Sequence, residues 1–274
     1  MMSANKSDKE LAFLRDLYVA TDWGERFAQL IDEHVKLPKT GRVLYAAAGT
    51  GDHALALLQR AGRDATLVGT DESALNLELA RAKAAALKSG AEFRVAQLEA
   101  LDFEDDAFDL VICDASMIAA ERLPEIFAEM VRVAAPGGAI AFCAVTASSF
   151  GEFFSIYWEA LINTGLTEHA SAVESLLTEH LIVAELEERA RSEGLDEVQS
   201  WTNREEFAYE SGEAVLTAPL IGDFLMRVWL EPLPDMEARE RVSQEIARII
   251  DEEYHDAEFV LSIKATLLVG RKAE

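Results

Sequence analysis

Between residues 40 and 146 the chain alternates in character. Short apolar runs at 42–47, 65–70, 92–96, 108–114 and 138–146 are separated by segments with helical periodicity at 52–61, 73–89 and 121–134. Short apolar strands interleaved with amphipathic helices require a parallel sheet covered on both faces. The pattern therefore predicts a doubly wound α/β fold, with ligands at the carboxyl ends of the strands.

Local signals support the individual elements. The 121–134 segment places Leu123, Ile126, Phe127, Met130, Val131 and Ala134 on one helical face. Ser73 in "DESAL" is a helix N-cap, and Leu75, Leu79, Ala82 and Ala86 follow as an apolar stripe. Residues 8–36 read as two helices broken near "TDWGE", with Asp22 capping the second. After 148 the alternation stops. Residues 149–192 read as all-helical, 196–210 as a strand, and 212–230 and 236–253 as helices, the last with Val242, Ile246, Ile249 and Ile250 on one side. The closing "EFVLSIKATLLVGRKAE" is a long strand. With no low-complexity linker or domain-sized repeat, the expectation is one domain over 1–274. Its parts are an N-terminal helical lid (8–36), a ligand-binding core (40–148), a helical insertion (149–192) and C-terminal strands and helices (193–274).

Composition restricts the partners. Fifty acidic residues against 25 Lys and Arg give a net charge of −25, and no basic cluster is visible. Such a chain repels phosphate backbones and anionic lipid surfaces, so neither nucleic acid nor membrane is an expected partner. No run approaches the ~18 apolar residues that cross a bilayer. The polar start "MMSANKSDKE" lacks the apolar centre of a secretory signal. A soluble cytoplasmic protein, monomer or homodimer, is expected. Cys113 and Cys143 fall in apolar runs without metal or redox spacing and read as buried core thiols.

The segment richest in chemistry is "RVLYAAAGTGDHALAL", residues 42–57. An apolar strand runs into Gly49-Thr50-Gly51 and straight on into a helix, which presents free backbone N–H groups to a ligand. Asp71 closes the next strand, where a carboxylate can accept both hydroxyls of a ribose. The order strand, glycine turn, helix, strand, acid points to an adenosine cofactor. "AGTGDHA" can be laid on G-x-G-x-x-A, which would make the protein a nicotinamide oxidoreductase.

The rest of the chain argues for another family. Phe108-Asp109-Leu110-Val111, the helix after it, Pro136-Gly137-Gly138 and the closing "KATLLVGRK" together resemble class I S-adenosylmethionine-dependent methyltransferases. The resemblance spans residues 40–148 and, more loosely, the last strand. It implies a Rossmann-like seven-stranded sheet with an antiparallel last strand, S-adenosylmethionine as cofactor, and a small-molecule acceptor. It assigns the 45–51 turn, with Tyr45, Ala47, Gly49, Thr50 and Gly51, to the methionine moiety. It places Asp71 and Glu72 at the ribose, Gln97 and Leu98 beside adenine, and Cys113 and Asp114 beside the sulfonium. The sequence departs from the family at three points: Tyr45 replaces the acid that ends the first strand, Ala47 replaces a glycine, and Gln97 replaces an Asp. Gln97 can still pair with adenine, and Ala47 fits if its φ is negative. Tyr45 removes a carboxylate that holds the cofactor's ammonium; Asp52, Asp22 or Glu25 are candidates to replace it. "GTGD" resembles the quinone-biosynthesis C-methyltransferases, but their other signatures are absent and no substrate is carried over.

Methyl transfer from a sulfonium depends mainly on alignment and exclusion of water, so no dedicated base is required. Of the five histidines (34, 53, 169, 180 and 255), His53 lies in the first turn of the cofactor helix. The stripe Phe150, Phe153, Phe154, Tyr157, Trp158 and Leu161 is core packing or, in part, an apolar lid with Tyr18 and Trp23; Phe150, Phe154, Tyr157 and Trp158 are the substrate candidates in it. "CDAS" lacks the Asn/Asp-Pro-Pro-aromatic turn used on planar amino groups, and Cys113 lacks the Pro-Cys context of cytosine enzymes. A small, apolar or lipid-like acceptor remains. The competing reading is a non-catalytic module that has lost catalysis or cofactor.

Overall fold

Each apolar run becomes a strand. The computed structural model describes residues 6–178 and 180–274. It contains β1 (Thr40–Ala46), β2 (Asp64–Asp71), β3 (Glu92–Val95), β4 (Phe108–Asp114), β5 (Ala134–Val145), β6 (Leu195–Tyr209) and β7 (Phe259–Lys272). They form one seven-stranded sheet in the order β3-β2-β1-β4-β5-β7-β6. The first five strands pair parallel, and β7 runs antiparallel to β5, with Ala139 opposite Arg271 and Val145 opposite Ala265. The order reverses at β1 and β4, the switch point at which doubly wound sheets bind ligands.

The helices are α1 (Asp8–Leu14), α2 (Glu25–His34), α3 (Asp52–Arg60), α4 (Ala74–Leu87), α5 (Leu123–Val133), α6 (Gly151–Thr164), α7 (Ala170–Thr178), α8 (Val183–Ser192), α9 (Gly212–Thr217), α10 (Met226–Trp229) and α11 (Met236–Glu253). All six residues expected on the inner face of the 121–134 helix are buried. Phe127 meets Phe142 of β5 edge-on at 5.1 Å. Burial of each such ring is worth about 1.5–3 kcal/mol. Ser73 caps α4 as expected, its Oγ accepting from the Asn76 N–H at 3.2 Å.

Three expectations are corrected. The chain does not break near Asp22: residues Arg15–Gly24 are wound as π-helix between α1 and α2, and Gly24 itself is helical (φ −61°, ψ −39°). Asp22 caps nothing; its carboxylate accepts from Arg26 one turn on. The buried face of α4 is Asn76, Leu77, Ala80 and Ala84, not the stripe through Leu75, Leu79, Ala82 and Ala86. And β5 starts at Ala134, ahead of the glycines: the register with β4 jumps from Phe108 opposite Ala134 to Leu110 opposite Ala139, a bulge that absorbs Pro136-Gly137-Gly138.

The chain divides into two compact units, Met1–Leu14, Thr146–His180 and Arg204–Lys264 in one, Arg15–Val145, Leu181–Asn203 and Ala265–Glu274 in the other. The first is mainly helical. Its core holds Phe150, Phe153 and Phe154 around Trp229, with ring centroids 5.0, 4.7 and 5.1 Å away. The Tyr157 hydroxyl donates to the Trp229 carbonyl at 3.2 Å. The second carries the parallel sheet. At its centre Cys113 and Cys143 are fully buried, Cys113 opposite Phe142 and Cys143 opposite Asp114, so the two thiols lie on opposite faces. No helix among the described residues is long and apolar enough to cross a membrane.

Candidate functional site

The carboxyl ends of β1 and β4 open into a cavity of about 320 Å³. Strand β1 delivers Tyr45 to it, β4 delivers Asp114, and the connection to α3 supplies Ala47, Gly49, Thr50 and Gly51. The π-wound segment contributes Arg15, Val19 and Trp23, and Ser116 and Met117 follow from β4. Trp23 is buried, and its indole N–H donates to the Ser116 hydroxyl at 2.9 Å, which fixes the ring as part of the wall.

The loop between β1 and α3 has to reverse direction in few residues. Ala47 takes φ +54°, so the condition of a negative φ is not met. An alanine there sits in the left-handed region that glycine enters at little cost. Gly51 has φ +84°, and a Cβ on it would lie 2.7 Å from the Ala80 Cβ and 3.0 Å from the Phe93 ring. Helix α4 can come this close because its inner face is alanine at that point. A Cβ at Gly49 would meet the Arg15 side chain at 3.4 Å, inside the cavity wall.

Asp71 is 8% exposed and holds the loop from the end of β2. Its Oδ2 accepts the Gly49 N–H at 2.9 Å, and its Oδ1 accepts the Ser73 N–H at 2.9 Å and the Asn76 amide at 3.2 Å. With about four acceptor sites on a carboxylate, one remains, on Oδ2, for a further donor. Glu72 is paired bidentately with Arg122 at 2.6 and 3.1 Å, and the same guanidinium grips Glu99. Arg122 thereby ties the ends of β2 and β3 together and holds the Glu99 carboxyl below the usual carboxylate range. Gln97 is exposed and Leu98 buried.

Burial pushes the Asp114 carboxyl upward, against hydrogen bonds from Ser116 and the charge of Arg15. Among the described residues Arg15 has neither a hydrogen bond nor an ion pair, so a half-buried cation faces the cavity. Burial also pushes the Cys113 thiol up. Tyr45 is buried, and its hydroxyl lies 2.8 Å from His53 Nδ1; His53 Nε2 lies 3.1 Å from Asp32 Oδ1. The three candidates for the missing acid are all exposed, and two of them are paired. Asp52 pairs with Lys83, Asp22 with Arg26, and Glu25 stands exposed on the cavity wall.

Of the residues singled out in the sequence, the cavity brings together Trp23, Glu25, Tyr45, Ala47, Gly49, Thr50, Gly51, Asp52, His53 and Asp114. Asp71, Glu72, Gln97, Leu98 and Cys113 are not in its lining, and neither are Tyr18, Phe150, Phe154, Tyr157 and Trp158. Tyr18 is 54% exposed, Trp158 is half-buried, and Phe150, Phe154 and Tyr157 belong to the aromatic core of the helical unit. Arg15, Ser116 and Met117 were not anticipated. A lone arginine in a helical stretch carries no motif, and only the fold brings it to the glycine loop. No group of three or more metal-ligating side chains is found among the described residues.

Residues 43–138 match the family model described as a methyltransferase domain. Among curated proteins, the chain is 32% identical over 151 residues to a demethylmenaquinone methyltransferase of Deinococcus radiodurans, covering 54% of this chain and 61% of that one. It is 30% identical over 125 residues to a ubiquinone/menaquinone biosynthesis C-methyltransferase of Geotalea daltonii, covering 45% and 53%. The matches thus span little more than half the length of these relatives. Among solved structures, the YcgJ protein of Bacillus subtilis superposes with a TM-score of 0.58 at 17% identity, over 91% of this chain and 99% of that one. A phosphoethanolamine N-methyltransferase of Haemonchus contortus, solved with phosphomonomethylethanolamine and S-adenosylhomocysteine, gives 0.58 at 15% identity, over 100% and 60%. These structures share the fold, and the family-model match includes the end of β1, the β1–α3 loop and the end of β4, which line the cavity. Residues 43–138 thus carry a methyltransferase domain.

Proposed function

We propose that the protein binds S-adenosylmethionine across the β1–α3 loop and transfers its methyl group to a small apolar acceptor. One observation carries this reading: Asp71 fastens a left-handed glycine loop at the switch point of the sheet, beside a cavity with a free cation and a buried carboxyl. The remaining acceptor site on Asp71 takes one ribose hydroxyl, and Gln97 stands exposed for the adenine edge. Arg15 takes the carboxylate of the amino-acid end. Bound S-adenosylmethionine supplies an already activated methyl on a sulfonium. The residues around it orient the acceptor and exclude water, which Val19, Trp23 and Met117 do with apolar surface. Tyr18 and the 150–158 aromatics have no part in this reading. The names of the curated relatives point to quinone-type rings, and such a ring is one member of the proposed acceptor class.

Calorimetric titration with S-adenosylmethionine, S-adenosylhomocysteine and, as control, NADH tests the cofactor. Heat from the first two alone is expected; none from folded, cofactor-free protein overturns the reading. Transfer of a labelled methyl to a panel of small acceptors, reduced naphthoquinones included, then tests the activity. A second reading, a cofactor-binding module without transfer, draws on Tyr45 in place of the family's acid. Binding without transfer to any acceptor selects it.

A further inference from the structure

Resting on the transfer reading above, we infer that Asp114 takes a proton from the acceptor, which makes the acceptor class one with a weakly acidic hydroxyl, of the phenol or enol type. The assignment follows from what each acid at the cavity is free to do. Among the described residues, Glu25, Asp52 and Asp114 bring carboxyl groups to its lining. Glu25 is exposed to solvent. Asp52 is exposed too, and is bound by Lys83 and by the Thr50 hydroxyl. Asp114 alone is half-buried and unpaired with any cation.

Its carboxyl is held from one side. Oδ1 accepts the Ser116 N–H at 3.2 Å. Ser116 is fixed in turn, because the Trp23 indole can only donate and its N–H reaches the Ser116 hydroxyl oxygen at 2.9 Å. Neither bond involves a second titratable group. Beyond Ser116 the carboxyl has no hydrogen-bond partner among the described residues. A carboxylate has about four acceptor sites, so it keeps room for a donor arriving from the cavity. The titratable and charged groups around it are Arg15 of the π-wound segment, Tyr45 of β1, His53 of α3, Cys113 beside it on β4 and Cys143 of β5. Burial pushes Tyr45 and both thiols up, so they stay neutral. Burial also lifts Asp114, and a base works best when it titrates nearer the working pH.

The step balances as follows. The acceptor oxygen forms its bond to the methyl carbon with a lone pair, the electrons of its O–H bond stay on that oxygen, and the proton passes to the Asp114 carboxylate. The carbon–sulfur bond breaks with its electron pair left on sulfur, which becomes a neutral thioether. Asp114 releases the proton to solvent before the next turnover.

The test uses three probes on one ring: naphthol, its methyl ether and naphthalenethiol. In protein saturated with S-adenosylhomocysteine, calorimetry is expected to show naphthol binding about ten- to a hundredfold tighter than the ether, the range of a hydrogen bond to a charged group. In Asp114→Asn that preference falls below about tenfold, the range for a neutral partner. Affinity for S-adenosylhomocysteine and thermal denaturation check that the variant is folded. With S-adenosylmethionine in mildly alkaline buffer, Asp114→Asn is expected to lose about a hundred- to ten-thousandfold in methyl transfer to naphthol, which keeps its proton. Transfer to the thiol, which has already lost its proton, falls far less. No preference for naphthol in the wild type, or an unchanged preference in the variant, overturns the assignment. Equal loss of transfer to naphthol and thiol also overturns it, since Asp114 then only shapes the cavity. A folded wild type that does not bind S-adenosylhomocysteine overturns the cofactor reading itself, and one that binds it but transfers to no acceptor overturns the transfer reading.

Discussion

At two positions in one loop a methyl group is unfavourable, present in the chain at one and absent at the other. Ala47 holds φ +54° with a Cβ, at a cost of about 1–2 kcal/mol, partly offset by the lower entropy of alanine in the unfolded chain. Ala47→Gly is therefore expected to stabilise the protein by about 0.5–1 kcal/mol, read as a rise in Tm of about 1–3 °C. Gly51→Ala adds the same methyl at φ +84° and drives it into Ala80 and Phe93. Left-handed strain and overpacking together predict a loss of about 2–4 kcal/mol, measured by denaturant unfolding. The sequence names both residues as loop members. It does not show that Ala47 has positive φ, because the backbone angle is set by the distance from β1 to α3 and by Asp71 pulling on Gly49. Nor does it show the link from Tyr45 to Asp32, which exists only once α2 lies beside α3.

At the scale of elements, Lys83 of α4 binds both Asp16 of the π-wound segment and Asp52 at the start of α3. This partly exposed bridge fastens the segment bearing Arg15 and Trp23 to the loop. Lys83→Met is expected to speed amide hydrogen exchange across Arg15–Gly24 several-fold, while exchange in β4 stays unchanged; partly exposed ion pairs contribute about 1 kcal/mol or less. Helix α5 is anchored differently. Glu129 accepts the Leu101 N–H at 2.6 Å and pairs with Arg132. Arg132 holds its carboxyl below the usual range. A depressed carboxylate stabilises the fold above the unfolded value of about 4.3 and loses that contribution as pH falls through the lower, folded value. Glu129→Gln is expected to lower stability at pH 7 by about 1–2 kcal/mol, with the difference from wild type shrinking as pH falls below the unfolded value in urea unfolding.

Element boundaries were legible where burial is two-sided. β1, β2, β4 and β5 fall on the apolar runs to within a few residues, because a strand covered on both faces tolerates little else; β3, at the sheet edge, is largely exposed. Reading failed where a local signal competed with tertiary contacts. Asp22 and Gly24 look like a helix break, yet the segment continues as π-helix, with Trp23 held at Ser116. Helix α4 is rich in alanine on all sides, so its stripe could not be chosen from periodicity; the fit of Ala80 against Gly51 chose it. The aromatic run after 148 shows a periodic apolar face whichever role it plays, and its partner Trp229 lies far along the chain.

For the whole molecule the governing quantity is charge. A net charge of −25 repels itself in the folded chain more than in the expanded unfolded one. Raising salt from about 0.01 M to 0.15 M shortens the screening length from about 30 to 8 Å. The Tm is therefore expected to rise over that range, and a fall would show that pairs such as Arg122 with Glu72 and Glu99 outweigh the general repulsion. The same charge leaves Arg15, inside an acidic molecule, as a local cation that a carboxylate can reach.

Cys113 and Cys143 add a consequence of a different kind. They sit on adjacent central strands but point to opposite faces of the sheet. They cannot bridge each other, and a thiol-modifying reagent in solution reaches either sulfur only when the helices over that face lift away. The order in which the two become modified therefore records which layer of the protein comes off first.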